Sequence, residues 1–257
     1  SCGHSFMPGV QNGLRIAAMA GDIRGHVNVG ASGLGGSRVV RHWDLPDEEN
    51  KAKKALSKGK VDVLTLMPIY LPDPGIENFA RYGLQFNPDI RILVQEFWLP
   101  YDYYATPRDR SPSGVPRGRK ADHDSFTAGD LQKAHEPYFK EMDEHIRSLN
   151  EKLGKQVVFV VPVGQAVIKL REKIIAAQAP GLKTQSELFR DDLGHPQPVI
   201  TWLQVYCHYA VMYRRNPVGL PVPPPLRDNE KLVRLLQEIA WDEATHHTLS
   251  GLKISEP

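Results

Sequence analysis

The segment Val61-Asp62-Val63-Leu64-Thr65-Leu66 is a short run of mostly apolar side chains, which is typical of a strand buried inside a sheet. A helical pattern follows at 76–86, and a second apolar strand follows at 90–94. Parallel strands need a crossover connection, usually a helix, so this order predicts two neighbouring parallel strands. The segment therefore indicates an α/β fold.

The same alternation extends along the rest of the chain. Further strands are predicted at 25–29 and 157–161, and further helices at 11–20, 47–58, 164–177, 198–213 and 229–246. We expect one domain over residues 1–257, because this length suits a single core. The pattern fails between 97 and 129, where prolines and arginines predict a long loop inserted in the domain. Residues 226–257 are expected to form a C-terminal helical extension.

Composition and charge argue against several classes of function. The 257 residues carry 32 basic and 30 acidic side chains and a net charge of +2, which is too balanced for a protein whose main task is to bind nucleic acid. No run reaches the roughly 18 apolar residues that a membrane span needs. The two cysteines, Cys2 and Cys207, have no spacing typical of a metal site or a disulfide framework, so we expect buried free thiols.

The chain opens abruptly at Ser1-Cys2-Gly3. We expect that an upstream segment, either a signal peptide or a first strand, is missing from this sequence. The compartment therefore stays open, and the protein would be secreted or periplasmic if a signal peptide has been removed. The oligomeric state is not indicated by any pattern.

Three turns carry the side chains that could perform chemistry. In an open parallel sheet, ligands bind outside the carboxyl ends of the strands, so the turns after strands are the place to search. The first turn is Gly3-His4-Ser5-Phe6-Met7, which presents a hydroxyl before a helix. The second is Asn28-Val29-Gly30-Ala31-Ser32-Gly33, whose glycines let the main chain approach a bound group. The third is Asp191-Asp192-Leu193-Gly194-His195-Pro196, which places carboxylates before an imidazole.

Together these turns resemble the blocks of the SGNH (GDSL-type) hydrolase family, and the resemblance spans nearly the whole chain. The Gly-x-Ser start resembles the first block and implies that Ser5 is the nucleophile. Gly33 is similar to the glycine of the second block, with Gly30 as the alternative alignment. The resemblance then implies that the backbone N–H groups of Ser5 and Gly33 form the oxyanion hole.

The last block of the family is matched by Asp192-x-x-His195-Pro196. The resemblance implies that His195 is the general base and that Asp192 orients it. It also implies a flavodoxin-like three-layer α/β/α sandwich with a central parallel sheet of about five strands. No metal or other cofactor is expected.

One block of the family is not matched. After the strand at 61–66, the family usually has a Gly-x-Asn-Asp turn, whereas this chain continues Met67-Pro68-Ile69-Tyr70-Leu71-Pro72-Asp73. The asparagine that would complete the oxyanion hole is therefore absent from its place, and one such donor is worth roughly 100- to 1,000-fold in rate. Tyr70, Asn28 and Asn78 are the candidate replacements.

These residues predict a serine hydrolase that cleaves an ester. In the inserted loop at 97–129, aromatic faces can stack on sugar rings and guanidinium groups can hold anions, so we expect Trp98, Tyr101 and Arg108 to bind substrate. A carbohydrate ester, deacetylated by the enzyme, is the refinement that this loop suggests. Two alternatives remain, an acyltransferase with the same triad and a non-catalytic glycan-binding relative.

Two other motifs point to different chemistry. The glycines at 30–36 could indicate phosphate or dinucleotide binding, but they do not follow the Gly-x-Gly-x-x-Gly spacing. Glu243-x-x-His246-His247 has a spacing compatible with a metal, but it lacks a partner half-site. Histidines near the C-terminal end of a helix are more simply explained by the helix dipole.

Overall fold

The architecture is taken from a computed structural model, which describes residues 1–7, 9–104 and 120–252. Five strands form one parallel sheet: β1 (Cys2–Gly3), β2 (Ser32–Gly33), β3 (Val63–Leu66), β4 (Arg91–Gln95) and β5 (Val158–Val161). Their order is β2-β1-β3-β4-β5, which is the flavodoxin-like order. The predicted α/β class and three-layer sandwich are confirmed.

Register follows from the buried apolar strands. Val63 pairs with Arg91 and Leu66 with Val94, while Ile92 pairs with Val158. The main-chain N–H of Val160 donates to the carbonyl of Leu249 at 3.0 Å. The C-terminal segment thus covers the outer edge of β5, which blunts an otherwise open sheet edge.

Eight α-helices flank the sheet in the described ranges: α1 (Val10–Ala20), α2 (Val39–Trp43), α3 (Lys51–Leu56), α4 (Pro74–Phe86), α5 (Ala128–Leu153), α6 (Val163–Ile175), α7 (Pro198–Tyr213) and α8 (Glu230–His246). The chain moves one way from β1 to β2 and the other way from β2 through β3 and β4 to β5. Because crossovers are right-handed, α1 lies on one face and α2 to α5 lie on the other. α7 packs against α1 and α8, so it belongs to the face of α1.

The helix α5 is absent from the sequence-based prediction. It begins with a capping box, in which Thr127 and Asp130 satisfy each other's backbone N–H groups, and ends at Gly154 with φ 69°. Its buried side chains form a stripe: Leu131, His135, Tyr138, Met142, Ile146 and Leu149. A simple count of apolar residues misses this stripe, because the rest of the helix is polar.

The strand predicted at 25–29 is also wrong. Val27 and Val29 are exposed, and the pairing with β1 occurs at Ser32 and Gly33 instead.

In the inserted loop, short 3-10 turns form at Pro100–Asp102 and His123–Ser125, and residues 105–119 lie outside the described part. Cys2 and Cys207 are buried free thiols, as expected. Among the described helices, none has the length and apolar character to cross a membrane.

Candidate active site

Ser5 lies in a tight turn directly after β1, at the carboxyl end of the sheet. The N–H of Met7 donates to the His4 carbonyl at 3.1 Å and closes this turn. The Ser5 residue is exposed, whereas its neighbours His4 and Phe6 are buried. In this strand order the chain reverses direction between β1 and β3, which is where doubly wound folds bind ligands. The turn therefore presents a hydroxyl at the expected binding position.

His195 lies within hydrogen-bond reach of that hydroxyl. Its Nε2 is 2.9 Å from Ser5 Oγ, although the two residues are 190 positions apart. Its Nδ1 is 2.7 Å from Asp191 Oδ2. An ionised carboxylate accepts but cannot donate, so Nδ1 carries a proton and Nε2 is free to accept the proton of Ser5. The three side chains form the arrangement of a serine–histidine–aspartate triad.

The carboxylate in this arrangement is Asp191, whereas the sequence predicted Asp192. Asp191 also organises the turn, because its Oδ1 accepts from the N–H groups of Gly194 and His195, each at 3.1 Å. Gly194 has φ 94°, a backbone conformation that favours glycine. This turn brings the fourth residue before His195 against its ring, and Asp192 is left exposed without a hydrogen bond to His195.

The electrostatics of the site favour a charged Asp191 carboxylate and a neutral His4. Partial burial opposes the ionisation of Asp191, but the hydrogen bonds that His195 donates from its ring and its backbone lower the pKa of Asp191 below its usual value. His4 is packed against two phenylalanine rings. Burial, with smaller contributions from His42 and His195, lowers the pKa of His4 to about 3. His4 is therefore neutral near pH 7 and adds no charge beside Ser5.

Trp98 is buried, contrary to its predicted substrate-binding role. Its exposed fraction is 0%, and its ring stacks on Phe6 with centroids 5.0 Å apart. Its Nε1 donates to the Gly194 carbonyl at 2.9 Å. Phe6 in turn contacts the His195 ring in an edge-to-face arrangement at 5.1 Å. Trp98 and Phe6 thus support the imidazole from the apolar side.

The other predicted substrate-binding residues are Tyr101 and Arg108. Tyr101 is partly exposed, and its N–H donates to the Leu193 carbonyl at 3.3 Å, so it lies beside the loop that carries His195. Its φ of 55° is uncommon for a residue other than glycine. Arg108 lies outside the described residues.

The N–H of Gly33 is directed away from β1, which disagrees with its predicted role in the oxyanion hole. Ser32 donates to the Ser1 carbonyl at 2.8 Å and Leu34 donates to the Gly3 carbonyl at 3.1 Å. Successive N–H groups along a strand point to opposite sides, so the Gly33 N–H points away from the strand that leads to Ser5.

A turn at 34–37 follows β2 beside the Ser5 turn. The N–H of Ser37 donates to the Leu34 carbonyl at 3.3 Å, and Gly36 adopts φ 58°. Within the described ranges, the N–H groups of Gly35, Gly36 and Ser5 donate to no acceptor. These free main-chain donors at the carboxyl end of the sheet can stabilise negative charge.

His42 holds Ser32 on β2 and Ser37 at the end of that turn. Its Nδ1 lies 2.9 Å from Ser32 Oγ, and its Nε2 lies 2.9 Å from Ser37 Oγ. Burial is the main reason why the pKa of His42 is lowered to about 4. The ring is therefore neutral near pH 7, and it donates to one hydroxyl and accepts from the other.

The turn after β3 provides a structural carboxylate and lacks the asparagine that the SGNH resemblance would place there. Asp73 is buried and accepts from the N–H groups of Val39 at 2.7 Å, Val40 at 3.0 Å and Gly75 at 3.0 Å. It thereby caps the N-terminal ends of α2 and α4. Of the predicted replacements, Tyr70 is buried in this turn, Asn28 donates to Gln11 at 3.4 Å, and Asn78 lies on α4.

A buried polar cluster that the sequence did not predict lies next to the His195 loop. Arg171 of α6 forms a bidentate ion pair with Asp102, and its Nη2 also donates to the His123 carbonyl at 3.1 Å. The Nδ1 of His123 is 2.8 Å from Asp102 Oδ2. These residues are 21 to 69 positions apart, so no local pattern could have revealed the cluster.

The histidines at the end of α8 have other partners. His246 Nδ1 lies 2.8 Å from the Asp242 carbonyl, and His247 Nε2 lies 3.4 Å from Asp143 Oδ1. Across residues 1–7, 9–104 and 120–252, no group of three or more histidine, cysteine, aspartate or glutamate side chains is arranged to hold a metal ion.

Comparison with known proteins supports the fold. No family model matches the sequence, and no curated protein matches it. Among solved structures, a DUF4886 family protein from Bacteroides uniformis is similar over 98% of this chain and 97% of that chain, with a TM-score of 0.56 and 12% sequence identity. At this identity, the likeness shows that the two chains share an α/β/α fold.

Proposed function

We propose that this chain is a serine hydrolase that cleaves an ester, with Ser5 as nucleophile, His195 as general base and Asp191 as the group that orients it. One observation carries the proposal. The His195 ring lies between the Ser5 hydroxyl and the Asp191 carboxylate, with contacts of 2.9 and 2.7 Å. This geometry permits proton transfer from the serine and stabilises the imidazolium that results.

The reaction follows from that geometry. Ser5 Oγ attacks the ester carbonyl carbon while Nε2 of His195 takes its proton, and the tetrahedral intermediate collapses when the same proton passes to the departing alcohol. A water molecule then attacks the acyl-serine, again with His195 as base. The N–H of Ser5 and the N–H groups at Gly35 and Gly36 are the donors proposed for the oxyanion.

The donors also favour an ester over an amide as substrate. The turn at 67–73 supplies no asparagine side chain, so the proposed oxyanion hole consists of main-chain groups. Loss of a single donor costs roughly 100- to 1,000-fold in rate. An ester has a better leaving group than an amide, so it is the carbonyl substrate that tolerates this loss.

A carbohydrate ester is the finer form of the proposal. Trp98 no longer supports it, because its ring is buried. Tyr101 supports it, because this residue is partly exposed beside the His195 loop and a tyrosine face can stack on a sugar ring. An acetylated sugar would place its acyl group at Ser5 and its ring near Tyr101.

The test is hydrolysis of p-nitrophenyl acetate together with labelling by a fluorophosphonate probe. We expect both in the wild-type protein and neither in Ser5→Ala. Ser57→Ala is the matched control, because Ser57 is exposed at the end of α3, where it contacts a main-chain carbonyl, and its loss should change nothing. Turnover that persists in Ser5→Ala, or a wild-type protein that neither reacts nor labels, would overturn the proposal.

A further inference from the structure

The loop that carries Asp191 and His195 is held from outside by the inserted loop. Two N–H donors and one imidazole ring from the described ends of the insertion contact three carbonyls of the His195 loop. Trp98 Nε1 donates to Gly194 at 2.9 Å, and the Tyr101 N–H donates to Leu193 at 3.3 Å. The third contact joins His123 Nε2 to the Asp191 carbonyl at 3.4 Å, which is long for a hydrogen bond. Each contact fixes main chain rather than a reacting atom.

His123 is itself held firmly. Its Nδ1 lies 2.8 Å from Asp102, whose carboxylate is paired with Arg171 in a cluster with side-chain exposures of 6%, 1% and 0%. Its ring also packs on Phe189 with centroids 4.3 Å apart. A side chain fixed on two sides in this way has little freedom, so its third contact can transmit a fixed position.

We propose that His123 is a positioning residue, which in its doubly protonated form sets the main chain of Asp191 and through it the orientation of His195. Both ring nitrogens face acceptors, and a neutral ring could donate to only one of them. This inference rests on the proposed function, because a role in positioning has meaning only if His195 is the base. Asp191 must hold the imidazole while its own backbone lies at a sharp turn. The contact from His123 restrains that backbone at the residue where a small rotation would move the carboxylate away from Nδ1.

Two substitutions separate this role from a purely structural one. An asparagine amide reaches about as far as Nδ1 of histidine, and a glutamine amide reaches about as far as Nε2. His123→Asn therefore keeps the donor to Asp102 and loses the contact with Asp191. His123→Gln does the reverse. Both lose the ring that packs on Phe189, so this loss cancels in the comparison.

The measurements are kcat and KM for p-nitrophenyl acetate, the rate of fluorophosphonate labelling and the melting temperature. We expect His123→Asn to lower kcat and the labelling rate by about three- to tenfold with unchanged KM, as the loss of one hydrogen bond implies. His123→Gln keeps a donor to Asp191 but loses the hold of Asp102, so it should lose less kcat than His123→Asn even if it melts earlier.

The possible results divide cleanly. Wild-type kcat in His123→Asn, an equal loss in both variants, or a loss confined to His123→Gln would each overturn the positioning role. If the wild-type protein is neither labelled nor active, the proposed function itself fails and the positioning role fails with it. That result is distinct from the others because it is read from the wild type alone.

Discussion

Two aspartate–histidine pairs lie on neighbouring segments of this molecule, with nearly the same contact and different surroundings. Asp191 and His195 are 2.7 Å apart, and Asp102 and His123 are 2.8 Å apart. The side chains of the first pair are 47% and 23% exposed, and those of the second are 1% and 6% exposed. In the first pair, the histidine also contacts a serine hydroxyl. In the second pair, the aspartate also contacts an arginine and the histidine contacts a main-chain carbonyl.

The difference shows that the chemistry open to an aspartate–histidine pair depends on the other groups that the pair contacts. Burial opposes the ionisation of Asp102, but hydrogen bonds from His123 and Arg171 outweigh it and lower the pKa of Asp102 to about 2. The charge of Asp102 is therefore neutralised in a buried ion pair with Arg171. The charge of Asp191 faces a ring whose other nitrogen contacts an exposed hydroxyl, which is the arrangement that the proposed proton transfer requires.

The largest expected effect comes from the carboxylate of the exposed pair. Asp191→Asn removes the acceptor that fixes the His195 tautomer, and we expect kcat for p-nitrophenyl acetate to fall by roughly 10⁴-fold. Asp192→Asn is the matched control, since it alters the adjacent exposed carboxylate and should leave kcat unchanged. Equal activity in the two variants would remove Asp191 from the proposed triad.

The buried pair should respond in stability. Asp102→Asn leaves the Arg171 guanidinium buried without a charged partner, and we expect the free energy of unfolding to fall by about 3–5 kcal/mol. Asp191→Asn should change this quantity far less, because Asp191 is exposed. Urea unfolding of both variants at pH 7 measures the contrast. Unchanged stability in Asp102→Asn would contradict the assignment of that pair to the core.

A buried carboxyl group whose partner is an amide extends the comparison. Glu96 accepts hydrogen bonds from the main-chain and side-chain N–H groups of Gln165, but burial dominates and raises the pKa of Glu96 from 4.5 to about 8. Between these two values the folded state holds a proton that the unfolded state has lost. Stability should therefore fall as the pH rises through this window.

Glu96→Gln removes that titration. We expect the variant to gain stability over wild type as the pH is raised from 5 to 8, by an amount on the order of a few kcal/mol. Urea unfolding at pH 5, 6.5 and 8 gives the difference at each pH. A difference that stays constant over this range would mean that Glu96 titrates normally.

Much of this arrangement could be predicted from local sequence. The apolar strands at 61–66 and 90–94 predicted the parallel sheet, and the turn after the first strand located Ser5. His195 was located by the Asp-x-x-His-Pro pattern, because its turn follows a 3-10 turn and not a strand. The choice between Asp191 and Asp192 could not be made, because both lie close enough to His195 along the chain. The turn at Gly194, with φ 94°, brings Asp191 against the ring, and the Gly194 carbonyl accepts a hydrogen bond from Trp98, which lies outside the loop.

Contacts between segments that are far apart in the sequence could not be predicted from it. Trp98 stands among prolines and arginines and looked exposed, yet it packs under Phe6, a residue 92 positions earlier. The cluster around Arg171 joins the insertion to α6 and carries no spacing signature. The helix α5 is a different case, because the Thr127-x-x-Asp130 capping box marks its N-terminal end in the local sequence.

The smallest expected effect separates the two pairs by the aromatic ring beside each histidine. Phe6 meets the His195 ring at 5.1 Å, and Phe189 meets the His123 ring at 4.3 Å. Both rings are buried, at 3% and 6% exposure, so Phe6→Leu and Phe189→Leu should lower the free energy of unfolding by similar amounts. Aromatic contacts are worth about 0.5–1.5 kcal/mol, which corresponds to a two- to tenfold change in kcat if the contact orients the base. Phe6→Leu should show this loss of kcat in addition to its loss of stability, and Phe189→Leu should show a smaller one, because its ring reaches the base only through His123 and Asp191. The reverse ranking would mean that the buried pair, rather than the exposed one, limits the reaction.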